Sequence, residues 1–275
     1  MQWENLSALD FETAVTQSSG VGIIPIGVLE AHGGHAPLGT DMFTAHWIAA
    51  QAAQQEPTIV FPAYPFGTNI ETAHLPGGIA IKRDIILALL ENICDEMYRN
   101  GLNKIILFSG HGGNRFFLNF FVQTLPEKQK PYAVYFVQSP FLATDVSLLD
   151  TEEIGHACEW ETSLIRHIND DVINLTQAPP EPFTNLHLNK ELAAVDAYTQ
   201  VDWYAQYPHM VVGDPRPATP EKGEALLKND VAKLVKAIRV IKADTTTLNL
   251  IAEFNERINK PQSPPFWTQG TAPAT

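Results

Sequence analysis

The chain has 275 residues, of which 45% are hydrophobic and 18% are charged, and its formal net charge is −13. This composition is typical of a globular chain with a sizeable core and argues against extensive disorder. An acidic chain without a basic face is not expected to bind nucleic acid. The acidity suits a protein that acts on a small molecule. Because no apolar run approaches the roughly 20 residues that cross a bilayer, we expect no membrane association.

The N-terminus and the number of cysteines indicate in which cellular compartment the protein is expected. The segment MQWENLSALDFETAV has neither the basic region nor the apolar region of a signal peptide. Two cysteines, Cys94 and Cys158, are too few for a disulfide framework in a chain of this length. We therefore expect a reduced, cytoplasmic protein.

Four short apolar runs are typical of strands that are buried on both faces. They are rich in β-branched residues and are bounded by glycine, proline or polar turns. The predicted strands cover residues 21–30, 58–66, 104–110 and 132–138.

Longer segments between and after these runs carry apolar residues at three- and four-residue spacing, which is the period of an amphipathic helix. Gly101 suits the position just after a helix, while Thr219 and Pro220 suit an N-cap and a first helical residue. The predicted helices cover residues 41–55, 83–101, 114–125, 159–170 and 219–243.

The alternation of strands and helices predicts an α/β fold with a mostly parallel central sheet and helices on both faces. The chain shows no internal repeat and no linker, so residues 1–260 are expected to form one domain, followed by an extended tail over residues 261–275. The proline-rich stretch 178–218 is too long for a plain connection, and stretches of that kind are often lids or oligomer contacts.

Histidine or acidic residues follow every predicted strand. In open α/β sheets, ligands bind beyond the carboxyl ends of the strands, so these residues are expected to meet at one edge. The segments are EAHGGHAPLGTD at 30–41, GTNIETAH at 67–74, SGHGGN at 109–114 and, after a loop, GHACEWETS at 155–163.

This convergence indicates a metal site. In an extended E-x-H segment, Glu30 and His32 point to the same side of the chain and can reach adjacent ions. Asp41 can bridge two ions, although on its own it would be read as the N-cap of the 41–55 helix. His111 lies in a glycine-rich turn that lets its ring approach closely. Mixed imidazole and carboxylate ligands suit Zn, Mn or Fe, and two such ions could activate a shared water.

The same segments resemble the creatininase (creatinine amidohydrolase) family. The matching blocks are PIGVLEAHGGHAPLGTD, AHLPGG, GHGGN, GHACEWETS and GDPRPATPEKGE, spread over residues 25–224. The resemblance implies a three-layer α/β/α fold and a two-metal centre, with zinc as the first choice and manganese or iron as alternatives. It also implies hydrolysis of a cyclic amide or another non-peptide C–N bond, and a homo-oligomer, often a hexamer.

Carried over block by block, the resemblance makes Glu30, His32, Asp41 and His111 metal ligands, with Asp41 as the bridging carboxylate. The last ligand departs from the pattern of creatininase proper, in which the turn after the third strand reads H-x-E and its glutamate binds metal.

Gly113 stands at the position of that missing glutamate. Glu159 fills a position that is acidic in members sharing the GHGGN turn, so we infer that Glu159 supplies the lost ligand. Glu161 is then expected to orient a ligand or the catalytic water.

His156 precedes Glu159 by three residues and would share its helix face. We expect the His156 imidazole to protonate the leaving nitrogen. His35, His74 and Asn114 are expected to contact the substrate.

Two other functions stay open at the sequence level. The metals could hold the vicinal oxygens of an inositol-derived cyclic diketone during ring opening. The chain could also be a non-catalytic metal-binding member of the family.

Overall fold

Four parallel strands form the sheet of this protein, which is described from a computed structural model over residues 1–138 and 146–261. In this part of the chain the strand order is β2-β1-β3-β4, and β1 pairs with β3 from Val21 opposite Lys104 to Ile26 opposite Ser109. The strands are β1 Val21–Ile26, β2 Ile59–Val60, β3 Lys104–Ser109 and β4 Ala133–Gln138. All four predicted strands are confirmed, in shorter form.

The predicted helices are also confirmed, each with ends within two residues of the expected ones. Thr219 caps α8 by accepting a hydrogen bond from the amide of Lys222, and Pro220 opens that helix. The helices are α1 Ala8–Gln17, α2 Thr40–Gln55, α3 Arg83–Arg99, α4 Asn114–Thr124, α5 Glu159–Asn169, α6 Lys190–Ala193, α7 Asp202–Gln206, α8 Pro220–Ala243 and α9 Thr246–Asn259.

Three features differ from the sequence expectation or lie beyond it. Helices α1 and α9 were not predicted, and the stretch 178–218 contains the short helices α6 and α7. The role of that stretch as a lid or oligomer contact stays a prediction. The expected tail lies outside the described residues from 262 onward.

Side chains of the sheet alternate between two apolar layers. Val21 and Ile23 of β1 pack with α2, α5 and α8, whereas Ile24 and Ile26 pack on the other face with α3 and α4. These four side chains are completely buried, and burying one such side chain contributes about 1.5–3 kcal/mol. The three-layer α/β/α architecture follows, and the carboxyl ends of the parallel strands all open at the same edge.

Both cysteines are free and buried. Among the helices that the structure describes, none is long and apolar enough to cross a membrane.

Candidate metal centre

Two glycines bring the start of α2 against the strand ends. A Cβ on Gly27, just after β1, would lie 2.6 Å from the carbonyl carbon of Asp41, and a Cβ on Gly110, just after β3, would lie 2.7 Å from the carbonyl oxygen of Asp41. Neither approach leaves room for a side chain. The N-cap of α2 is Gly39, so the Asp41 side chain does not cap the helix and is available to the site.

Glu30 and His32 belong to the loop after β1 rather than to an extended strand, because β1 ends at Ile26. The loop folds back so that His32 forms an antiparallel bridge with Ala36. Nδ1 of His32 lies 3.2 Å from the carbonyl oxygen of Glu30, and donation of the Nδ1 hydrogen there leaves Nε2 as the free ligand nitrogen.

Five side chains meet at this edge and are called the metal cluster below: Glu30, His32, Asp41, His111 and Glu161. Oδ1 of Asp41 lies 3.4 Å from Nε2 of His32, and Oδ2 of Asp41 lies 3.1 Å from Nδ1 of His111. Oε1 of Glu30 is 3.1 Å from the same Nδ1, and Oε2 of Glu161 is 3.6 Å from Nε2 of His32. Asp41 thus stands between two half-sites, one formed by Glu30 and His111 and the other by His32 and Glu161.

The metal cluster is buried, and several of its oxygen and nitrogen atoms lack a hydrogen-bond partner. In the described part of the chain, both carboxylate oxygens of Glu30, Oδ2 of Asp41 and Nε2 of His32 have no hydrogen-bond partner. Buried polar atoms in this state are costly unless a cation or a proton satisfies them. The arrangement of buried carboxylates around imidazole nitrogens therefore fits two divalent ions.

The pKa values of the metal cluster are shifted because its charged groups are buried close to one another. Burial raises the pKa of Glu30 and raises the pKa of Glu161 to about 8. Burial alone would lower the pKa of His32, but the carboxylates of Asp41 and Glu161 outweigh it and raise this pKa to about 9. Protons therefore take part of the role that metal ions would take, and ion binding would displace them.

Glu159 is not brought to the metal cluster. Its fully buried carboxylate accepts hydrogen bonds from the amides of Asp150 and Thr151, from the Thr151 hydroxyl at 2.8 Å and from the ammonium of Lys222. All of its acceptor capacity is directed at α8 and at the segment before α5. The inference that Glu159 supplies the lost ligand is therefore corrected, and Glu161 is the acid of α5 that faces His32.

His156 lies beside the metal cluster. Its Nε2 is 2.7 Å from the carbonyl oxygen of Ala31, and its Nδ1 is 3.5 Å from Oε1 of Glu30. Ala157 has a left-handed backbone (φ +57°), which is uncommon for a residue with a side chain, and its amide donates to Oε2 of Glu161. This turn holds His156 and Glu161 on the same side. Burial, with a further contribution from His32, lowers the pKa of His156 to about 3, so its imidazole is neutral.

The three residues expected to contact substrate are engaged with the protein. Nε2 of His35 lies 3.1 Å from the hydroxyl of Thr162, and His74 has its two ring nitrogens 3.2 and 2.9 Å from the carbonyl oxygens of Glu71 and Pro208. The buried amide of Asn114 accepts from the amide of Thr68 at 3.0 Å and donates to the hydroxyl of Ser109 at 3.3 Å. These contacts join the loops that surround the metal cluster.

One acidic residue near the site had no role assigned from the sequence. Glu71, from the loop after β2, lies with Oε1 3.7 Å from Nε2 of His111. Glu30, Glu71 and His111 offer ligand atoms within 4.8 Å of one another. The segment at 67–74 carries a signal, since an acid there follows a predicted strand, but nothing in the local pattern separates Glu71 from an ordinary loop residue.

The fold and this cluster define a metal-dependent hydrolase of the α/β/α class. Residues 4–238 match a family model described as creatinine amidohydrolase. The chain therefore belongs to the creatininase family of metal-dependent amidohydrolases.

Individual relatives agree with this membership. Creatinine amidohydrolase of Pseudomonas putida is 22% identical over 252 residues, which cover 84% of this chain and 93% of that protein. Mycofactocin precursor peptide peptidase of Mycolicibacterium smegmatis is 27% identical over 216 residues, which cover 74% of this chain and 78% of that protein.

Solved structures share the fold. The structure of a putative creatinine amidohydrolase from Bacteroides fragilis superposes with a TM-score of 0.74 at 27% identity, covering 82% of this chain and 91% of that chain. Creatininase structures in a zinc–zinc form and a manganese form superpose at 20% identity with TM-scores of 0.72 and 0.70, each covering 88% of this chain and 98% and 99% of theirs.

Proposed function

We propose that this protein holds two divalent ions in the metal cluster and hydrolyses the C–N bond of a cyclic amide or another small, non-peptide amide. The observation that carries the proposal is the position of Asp41, whose two oxygens face the imidazole nitrogens of His32 and His111. A bridging carboxylate between two half-sites is the arrangement expected of a two-metal hydrolase.

Glu30 and His111 would hold one ion, His32 and Glu161 the other, and Asp41 both. Zinc is the first choice and manganese the next, in keeping with this donor set and with the metal forms of solved creatininases. When bound, such ions lower the pKa of a water molecule and polarise a carbonyl oxygen.

His156 is proposed to move the proton. Donation of its Nε2 hydrogen to the carbonyl of Ala31 leaves Nδ1 as an acceptor, 3.5 Å from Glu30 at the metal cluster. Nδ1 can take the proton that the attacking water loses and deliver it to the leaving nitrogen. A neutral amine needs this proton before the C–N bond breaks.

A substrate panel tests the reaction class. The purified, metal-loaded protein is incubated with cyclic amides, formamides and inositol-type cyclic ketones. Ring-opened products, which gain one water, are measured by mass spectrometry, and the amine or ammonia that formamides release is measured directly. We expect turnover of at least one amide. Ring opening of a ketone without turnover of any amide would overturn the proposed bond type, and no turnover despite full metal loading would favour a non-catalytic role.

Replacement of one histidine tests the proton transfer. His156→Ala should keep both ions while lowering kcat by roughly 10²–10⁴-fold, the usual contribution of a general acid–base group. An amide with a good leaving group should be much less affected. His209→Ala, at an exposed histidine outside the site, is the matched control. Loss of an ion in His156→Ala would show instead that His156 is a ligand.

A further inference from the structure

Among the described acidic side chains that contact the metal cluster, Glu71 stays partly open to solvent. Its side chain is 28% exposed, whereas the side chains of the five cluster residues are at most 7% exposed. Its Oε1 is 3.7 Å from Nε2 of His111. A partly exposed carboxylate is thus placed within 4.8 Å of ligand atoms of Glu30 and His111.

Gly113 leaves the space that this carboxylate occupies. A Cβ at position 113 would lie 2.5 Å from Nε2 of His111 and 2.7 Å from Oε1 of Glu71, closer than such atoms approach in proteins. A side chain at position 113 would therefore collide with the His111 ring and with the Glu71 carboxylate, of which the carboxylate is the more flexible. The loop after β2, rather than the turn after β3, brings an acid to this side of His111.

The backbone around Glu71 is anchored at several points. The amide of Thr68 donates to Oδ1 of Asn114 at 3.0 Å, and Nδ2 of Asn69 donates to the carbonyl of Leu29 at 2.9 Å. The Thr72 hydroxyl donates to the carbonyl of Asn69 at 2.9 Å. Because the loop is held to the segments after both β1 and β3, the backbone of Glu71 is fixed beside the metal cluster.

The metal cluster does not need Glu71 for charge or orientation. Nε2 of His111 already has the carbonyl oxygen of Thr68 as a partner at 2.9 Å, which fixes the ring. Glu30, Asp41 and Glu161 bring three negative charges to a pair of divalent ions, so the centre is already close to neutral. Among the described residues, none donates a hydrogen bond to the Glu71 carboxylate. Its acceptor oxygens remain available to a ligand.

We propose that Glu71 is a specificity-determining residue, which selects substrates that present a cationic or N–H-donating nitrogen beside the carbonyl group that is hydrolysed. This inference rests on the proposed two-metal function. A charged acceptor recognises such a nitrogen by a charge-assisted hydrogen bond, which a substrate without the nitrogen cannot form.

Two hydroxamates that differ in one ammonium group test the proposal. Acetohydroxamate and glycine hydroxamate carry the same metal-chelating group, and the second carries a protonated amine at about pH 6.5, below the ordinary pKa of an α-amine. Their affinities for the metal-loaded, full-length chain are measured by calorimetry. We expect glycine hydroxamate to bind at least about tenfold more tightly, as a hydrogen bond to a charged group allows.

Two single-residue variants test whether the preference for glycine hydroxamate depends on Glu71. Glu71→Gln should reduce the preference to less than about twofold while keeping both ions and the acetohydroxamate affinity. Glu191→Gln, at a glutamate of α6 whose side chain is 88% exposed, should behave as the wild type. Equal binding of the two hydroxamates to the wild type, or a preference that survives in Glu71→Gln, would overturn this inference alone. Loss of an ion in Glu71→Gln would show that Glu71 is a metal ligand and would also overturn this inference. A wild-type chain that takes up no ions would overturn the proposed function as well.

Discussion

Two buried glutamates of α5, two residues apart, sit in opposite environments. Glu159 accepts hydrogen bonds from two backbone amides, a hydroxyl and the ammonium of Lys222. Glu161 instead faces His32 across 3.6 Å, and one amide, that of Ala157, donates to it. The first carboxylate is satisfied by the protein, whereas the second points at other potential ligands.

Hydrogen bonding therefore separates a carboxylate that the protein satisfies from one that could bind a metal ion, which residue type and burial do not. Both side chains are nearly inaccessible, with the residues 0% and 5% exposed. A buried carboxylate with a full set of donors is stable as it stands, but one aimed at imidazoles and other carboxylates needs a cation or a proton. The following predictions test that distinction.

Asp41 should give the largest effect, because it joins the two half-sites. Asp41→Ala is expected to remove at least one ion and nearly all activity, since the remaining ligands would face each other without a bridging charge. Metal content by elemental analysis and turnover on the best amide measure this. Full metal content with a near-normal rate would remove the bridging assignment.

Replacement of Glu161 should change the metal content of the protein. Glu161→Gln removes the charge that faces His32, so metal content should fall from two ions per chain to about one, with a folded protein by circular dichroism. Thermal stability in the presence of chelator should change little. Retention of both ions at full affinity would exclude Glu161 as a ligand.

Replacement of Glu159 should lower the stability of the protein and leave its metal content unchanged. Glu159→Gln removes the buried one of the two carboxylates that pair with the Lys222 ammonium, whose side chain is 18% exposed, and leaves the exposed carboxylate of Asp150. Losing a hydrogen bond between charged groups costs about 1.5–3 kcal/mol, which should lower the Tm by roughly 3–9 °C in a chain of this size. Metal content should stay at that of the wild type. A loss of metal with unchanged Tm would reverse the two assignments.

Asp230 of α8 is a third buried carboxyl group, with neither a described donor to its Oδ2 nor a place at the metal cluster. Burial raises its pKa to about 7. Between about pH 4 and pH 7 the folded chain keeps a proton that the unfolded chain has lost, so stability falls as pH rises through this window and levels off above it.

Asp230→Asn should remove that pH dependence. The variant should be more stable than the wild type by about 2 kcal/mol at pH 8, with a smaller difference at pH 5. Calorimetry of both chains with chelator present measures this difference, because the contribution of the metal cluster is common to both. Parallel stability curves for the two chains would contradict the effect.

Much of the secondary structure could be predicted from the sequence alone, because local residue patterns determine local structure. Apolar runs and helical periods located the strands and five of the helices, and the Thr219–Pro220 pair marked the start of α8. Glu30, His32 and His111 could be grouped in advance, because parallel strands deliver the residues after them to one edge of the sheet. Helix α1 and helix α9 were missed at the two ends of the chain.

Tertiary packing decided what sequence spacing could not. Residues two apart on a helix lie about 200° apart around its axis, so either Glu159 or Glu161 could have faced the metals. Packing of α5 against α8 turned Glu159 toward Lys222 and left Glu161 beside His32. The position of Glu71 likewise depends on a loop folded across the strand ends and on the space that Gly113 leaves. The sequence by itself determined which chemical groups gather at this edge. Which of the acids join the metal cluster, which is satisfied by Lys222 and which stays partly exposed depends on long-range contacts that no local pattern encodes.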